Sequence, residues 1–274
     1  MSFNKSPSIA TDMAALAQNG VLEWCARGGF VVSGLVHLII GYIAVRIASG
    51  GRNGAADQSG ALAELASKPG GTLALWVAVG AFAAMALWRL AETCLGRSTE
   101  PKSQGRLMEV FDRATAFSLA MVYFALAFST YGFARGAGES SSAQNASVSA
   151  RLMESNVGRV ALIAVGLIIL AVGGYHVYEG VSKSFLEELK GVSSALVRRL
   201  GMIGYVAKGL VIAGAGVLVV VATIYSEPEK ATGLDGALKT LGAQPFGAVL
   251  LIVAGLGIMT YGVFSFAMAR YTKM

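Results

Sequence analysis

Apolar residues fall along this chain in six long runs, 28–48, 71–91, 114–134, 158–179, 201–225 and 246–268, separated by shorter stretches that carry most of the charge. Each run approaches the ~20 residues needed to cross a ~30 Å hydrocarbon core. Backbone groups in lipid must be satisfied within a segment, so uninterrupted runs of this length predict six transmembrane helices. The connection after the first run, GALAELASKPGG (Gly60 to Gly71), returns after the fifth as GALKTLGAQPFG (Gly236 to Gly247). Ala61, Leu62, Leu65 and Ala66 follow helical spacing, as do Ala237, Leu238 and Leu241. A proline then stops the turn, and a glycine opens the next span. Each connection therefore reads as a short amphipathic helix packing over its own hairpin on the outer surface.

An offset of 87 residues brings a degenerate third copy into register, SVSARLMESNVG (Ser147 to Gly158). The spans that open each unit align as GFVVSGLVHLIIGY (Gly29 to Tyr42), AFSLAMVYFALAFS (Ala116 to Ser129) and GYVAKGLVIAGAGV (Gly204 to Val217). The closing spans align at Trp88-Arg89-x-x-Glu92, Tyr175-His176-x-x-Glu179 and Phe264-Ser265-x-x-Met268. The expected fold is all-α: a polytopic membrane protein of three parallel two-helix repeats related by pseudo-threefold symmetry. Its expected parts are a leader over 1–23 and repeats over 24–99, 107–182 and 195–270, forming a single membrane domain. Thr11 and Asp12 could cap a short interfacial helix in the leader, which reads equally well as unstructured.

Gly34 and Gly41, Gly166 and Gly173, Gly209 and Gly216, and Gly255 and Gly262 are each seven residues apart, two turns along one face. Small seams of this kind let helices approach closely in lipid. The third span departs from the pattern. Phe117, Phe124 and Phe128 make it aromatic, a surface for lipid or for a partner membrane protein.

Composition adds orientation. The chain of 274 residues is 55% hydrophobic and only 14% charged, which excludes an ordinary soluble domain, and its net charge of +6 is explained by distribution. Fourteen of the 22 Lys and Arg residues fall on the side of the termini and eight on the other, which predicts both termini in the cytoplasm. No removable signal peptide and no nucleic-acid motif is visible. Cys25 and Cys94 fall at the cytoplasmic ends of neighbouring spans and read as inert thiols rather than a bridge.

The Gly204-Tyr205-Val206-Ala207-Lys208-Gly209 opening and the Trp88-Arg89-Leu90-Ala91-Glu92 closing, with their degenerate copies, resemble the bacterial membrane family of domain of unknown function 1206. The resemblance implies a six-helix architecture in a bacterial inner membrane and no established activity.

Ionisable residues inside spans are costly and become the candidate site. Lys208 lies nine residues past Arg199; it either snorkels back to the interface or pairs with Glu92 or Glu179 in a buried or solute-binding role. His37, ten residues past Arg27, is the deepest titratable group, serving proton or solute contact or bonded as a neutral imidazole to a neighbouring helix. His176 and Glu179 have a spacing seen in carboxylate metal sites, but the first repeat places Arg89 and Glu92 there, so a helix-end ion pair is expected and no metal. Haem does not fit two histidines placed at different depths, and no cofactor is expected. Asp57, Glu64, Glu154 and Asp235 fit solvated loop faces. Zinc-protease, serine-hydrolase and nucleotide-loop motifs are missing, which speaks against an enzyme.

Two functions remain in play. One is a small-solute or ion transporter or channel-like protein with a path near the repeat axis, lined by Lys208, His37, Arg89, Glu92, His176 and Glu179. The other is a scaffold or accessory subunit holding membrane lipids or a protein partner through Phe117, Phe124 and Phe128. A lipid-modifying membrane enzyme is third.

Overall fold

The computed structural model describes residues 21–51, 54–95, 106–191 and 194–272; residues 1–20 of the expected leader lie outside them, as do the side chains of Cys25 and Glu92. Nine α-helices follow in order among the described residues: α1 (Val21–Ala48), α2 (Gln58–Ala66), α3 (Gly71–Leu95), α4 (Arg106–Ala134), α5 (Ser141–Met153), α6 (Asn156–Ser182), α7 (Ala195–Tyr225), α8 (Leu234–Gly242) and α9 (Gly247–Tyr271). Among the described residues there is no strand, only one isolated bridge between Leu189 and Thr272. Six helices among the described residues, α1, α3, α4, α6, α7 and α9, are long and apolar enough to cross a membrane. They coincide with the six apolar runs.

The chain divides into two compact units, 1–26 with 66–138, and 27–65 with 139–274. In the first unit α3 and α4 form an antiparallel pair. Ala116, Ala120, Ala127 and Thr130 of α4 are buried at helical spacing, while Phe117, Phe124 and Phe128 lie exposed on other faces, Phe128 at 79%. Across the pair Trp76 meets Tyr131 edge-on and Phe82 meets Tyr123. Alanine and threonine thus supply the close approach that glycine supplies elsewhere.

The second unit holds the glycine seams, and they interlock in pairs. An added Cβ at Gly173 would stand 2.7 Å from the Gly209 carbonyl oxygen, and one at Gly209 would stand 2.7 Å from that of Gly173. Gly166 and Gly216 face one another in the same way one seam position along, so α6 and α7 touch backbone to backbone. The second seam joins α1 to α9. Gly34 meets Gly262, and Gly41 meets Gly255. In each case two glycines seven apart on one helix meet two on an antiparallel helix, and van der Waals contact drives the association. The close pairs are therefore spans two with three, four with five, and six with one. Each joins the closing helix of one repeat to the opening helix of another, so the seams serve contacts between repeats.

The repeated connection motif has a local explanation. Its first glycine lets the helix start close under the preceding loop: a Cβ at Gly60 would strike the Ala55 carbonyl, and one at Gly236 the Thr232 hydroxyl. Its last glycine closes the turn, since Gly71 N–H donates to Lys68 O at 2.9 Å and Gly247 N–H to Gln244 O at 2.7 Å. In the degenerate copy the Ser155 hydroxyl takes over, accepting from Gly158 N–H at 3.0 Å as an N-cap.

The connections correct two expectations. As anticipated, α8 packs over its own spans α7 and α9, and α5 over α6. But the three connections also meet one another. Asp57 and Asp235, expected on solvated faces, are 5% and 2% exposed, whereas Glu154 is exposed and Glu64 pairs with Arg46 at 3.6 Å. The Ser142 hydroxyl, from the second connection, lies 3.0 Å from Asp57 Oδ2 and 3.1 Å from Asp235 Oδ2. Asp57 Oδ1 also accepts from the Ser59 hydroxyl at 2.6 Å and from Gly60 N–H at 3.0 Å. Asp235 accepts from Ala56 N–H at 2.8 Å and from Lys239 Nζ at 2.7 Å, and Ser141 N–H donates to Ser59 at 3.1 Å. Buried carboxylates are tolerable only when satisfied in this way. The result is a polar clasp that ties all three connections at one end of the unit.

Candidate functional site

Below the clasp the second unit is layered. An apolar cluster of Ile40, Ile43, Ala44, Ala56, Ala61, Val211, Leu238, Leu251 and Ile258 comes first, filling the space under α2 and α8. At the opposite end, Phe185, Leu189, Tyr205, Tyr261, Phe264 and Met268 form an aromatic cluster. Phe185 stacks on Tyr205 with centroids 5.2 Å apart and meets Phe264 edge-on at the same distance. The chain is tied down there: Arg27 Nη1 donates to the Ala269 and Arg270 carbonyls, and Lys190 N–H donates to Tyr271 O at 2.6 Å.

The candidate residues of this unit meet on the inner face of that aromatic cluster. Tyr205 and Tyr261 stand edge to face, 5.3 Å apart. Lys208 Nζ lies 4.1 Å from the centroid of the Tyr261 ring, a cation–π contact. The His37 ring lies 4.8 Å from the same tyrosine, and the His176 ring 5.8 Å from Tyr205. Four helices, α1, α6, α7 and α9, thus contribute to one polar layer.

Hydrogen bonds orient both histidines. His37 Nδ1 is 2.7 Å from the Ser33 carbonyl oxygen one turn back; a carbonyl only accepts, so Nδ1 carries the hydrogen and Nε2 is the acceptor. This corrects the expected bond to a neighbouring helix, because the bond is made within α1 and the neighbour supplies a ring instead. His176 Nδ1 is 3.0 Å from Glu179 Oε2, with Glu179 buried. The expected pairing of His176 with Glu179 is therefore present, and in the neutral imidazole its Nε2 is likewise the acceptor.

Lys208 is expected to snorkel to the interface or to take a buried pairing or solute-binding role with Glu92 or Glu179 as partner. Its ammonium rests on Tyr261, and among the described residues no carboxylate oxygen lies within 4.0 Å of it. Arg89 and Glu92 belong to α3 in the other unit, Arg89 partly buried. Cys94 is exposed. Among the described residues no three His, Cys, Asp or Glu side chains stand together as a metal-ligand set. The two tyrosines escaped sequence reasoning. Tyr205 stands inside the Gly-Tyr-Val-Ala-Lys-Gly opening, three residues before Lys208 and so on its face, which was the available signal. Tyr261 had none, because its role comes from the packing of α9 on α7 and α1.

Comparison with known proteins is consistent with this architecture. The model of the family described as Domain of Unknown Function (DUF1206) matches three times, at residues 28–96, 114–183 and 203–272. "Uncharacterized protein YxxB" of Bacillus subtilis (strain 168) is 25% identical over 255 residues, covering 90% of each chain. No solved structure matches. The three matches begin in the opening spans and end at or just beyond the closing spans of the repeats seen in the sequence, and the chain belongs to the DUF1206 family.

Proposed function

We propose that the protein is a membrane transporter for a small solute or ion, with the path passing through the Lys208–His37–His176 layer of the second unit. The observation that carries this reading is the convergence of ionisable side chains from three spans on one tyrosine pair, between two separate closures. Intramembrane ionisable groups are expensive, and their gathering in one layer is what a permeation site requires. On one side the apolar cluster and the clasp close the unit; on the other the Phe185–Tyr205–Phe264 cluster does. Both closures are non-covalent and drawn from different repeats, so either could part while the other holds. That is the requirement of alternating access.

Flux through purified protein in liposomes tests the reading. Chloride, phosphate, succinate, glutamate and potassium should include at least one solute with saturable flux above protein-free vesicles, and Lys208→Gln should lower that flux at least tenfold. No flux for any of the five, or a flux indifferent to Lys208→Gln, would leave the scaffold reading, with the exposed Phe117, Phe124 and Phe128 as its contact surface.

A further inference from the structure

We infer that the Lys208–His37–His176 layer binds an oxyanion that itself carries an O–H group, of which the monohydrogen and dihydrogen phosphate ions, or a phosphomonoester, are the type. The inference rests on the transport reading for its location and adds the class of ligand.

Three features of the layer select this chemistry. The first is charge. Lys208 offers three donors and no acceptor, and its ammonium has a tyrosine face and, among the described residues, no carboxylate within ion-pair distance. The Glu179 carboxylate, which could have balanced it, is engaged by His176 Nδ1. With no carboxylate in contact with the Lys208 ammonium among the described residues, an oxyanion supplies that partner through a charge-assisted hydrogen bond.

The second feature is the state of the imidazoles. Both Nδ1 atoms face acceptors, the Ser33 carbonyl and Glu179, so in the neutral imidazoles both Nε2 atoms are acceptors. An acceptor beside a bare anion is repulsive, but an acceptor beside an anion bearing O–H receives that hydrogen. The third feature is contiguity. His37 and Lys208 share the two tyrosines with His176 through ring contacts of 4.8, 4.1, 5.3 and 5.8 Å, so ammonium and imidazoles border one continuous aromatic wall. Hydrogen phosphate satisfies both kinds of group at once. Sulfate, fully deprotonated near neutral pH, satisfies only the lysine, and the contrast gives the test.

Inorganic phosphate and sulfate would be titrated by calorimetry into the full chain in phosphatidylcholine nanodiscs, with no gradient imposed. A parallel arm would replace a fraction of the lipid by phosphatidic acid, a phosphomonoester lipid. The expected result is phosphate binding at least tenfold tighter than sulfate and lost by at least tenfold in Lys208→Gln. In His37→Phe, which keeps a ring against Tyr261 and removes Nε2, the two anions should draw together in affinity. If phosphatidic acid alone engages Lys208, read as Lys208-dependent stabilisation in that arm, the class stands and the source is a lipid headgroup. Equal binding of phosphate and sulfate by the unaltered protein would overturn the inference, as would no response to phosphate, sulfate or phosphatidic acid. Binding without flux would leave this inference intact and remove transport; flux of a cation without anion binding would do the reverse.

Discussion

Replacing Asp235 by alanine should cost about 1–3 kcal/mol of stability, measured by equilibrium unfolding in mixed micelles. The carboxylate is 2% exposed and accepts from the Ala56 amide, faces the Ser142 hydroxyl and pairs with Lys239. Its removal leaves the buried Ala56 amide without an acceptor, and an unsatisfied buried donor costs about 1–3 kcal/mol, whereas the Ser142 hydroxyl keeps Asp57 Oδ2 at 3.0 Å. The ion pair itself adds little. The Lys239 side chain is 52% exposed, so solvent screens its share, and Lys239→Ala should cost less than about 1 kcal/mol. The asymmetry within one pair is the diagnostic. Were the two variants equally mild, the three connections would not depend on the clasp and its place as a closure would lapse.

The second large effect is a matter of sign. Glycine inside a helix is ordinarily worse than alanine by about 0.5–1 kcal/mol, so a Gly→Ala change where space allows should stabilise. Gly214 of α7 has no heavy atom within 4 Å of an added Cβ, and Gly214→Ala should be neutral or gain up to about 1 kcal/mol. Gly209, on the same helix, would place its Cβ 2.7 Å from both the Gly173 carbonyl oxygen and the Val177 amide nitrogen. Those are backbone atoms of α6 and cannot rotate away. Gly209→Ala should therefore destabilise by about 1–3 kcal/mol, the usual cost of overpacking. The same unfolding assay would decide, and two effects of one sign would show that the seam is not a backbone contact.

Those glycines also show how much could be read in advance. Their spacing of seven marked the seam faces, because two turns of helix return to one side and nothing else is needed to see it. Which seams meet could not be read. Gly34 and Gly41 pair with Gly262 and Gly255 in reversed order only because α1 and α9 are antiparallel neighbours, a fact of assembly across the full length of the chain. Hydropathy made the six spans legible for a similar reason, since the bilayer imposes a length on each segment separately.

Asp57 and Asp235 illustrate the opposite case. Each stands in a polar connection where local pattern says solvent, and each is buried only because three connections separated by ~85–180 residues converge on Ser142. Burial of that kind is non-local and leaves no periodic trace. The site lies between these extremes. Lys208, His37, His176 and Glu179 were visible because charge in an apolar run is conspicuous, and four helices of one unit do bring them together. Their depths, counted along separate helices, gave no sign that His37 and His176 would face one tyrosine pair. Tyr205 and Tyr261, which join them, look like ordinary apolar filler until the helices pack.

Water access to the polar layer is the most direct test of a path. With Cys25 and Cys94 first replaced by serine, His37→Cys and His176→Cys would be treated in membranes with a small charged thiosulfonate, which reacts with the thiolate and so needs water. Leu35→Cys, at an exposed position of the same apolar span, is the lipid-facing control. The account predicts that both layer cysteines react at least tenfold faster than Leu35→Cys, and that phosphate slows them. Reaction of both at the slow rate of Leu35→Cys would mean a dry, sealed layer, and the transport reading would fall.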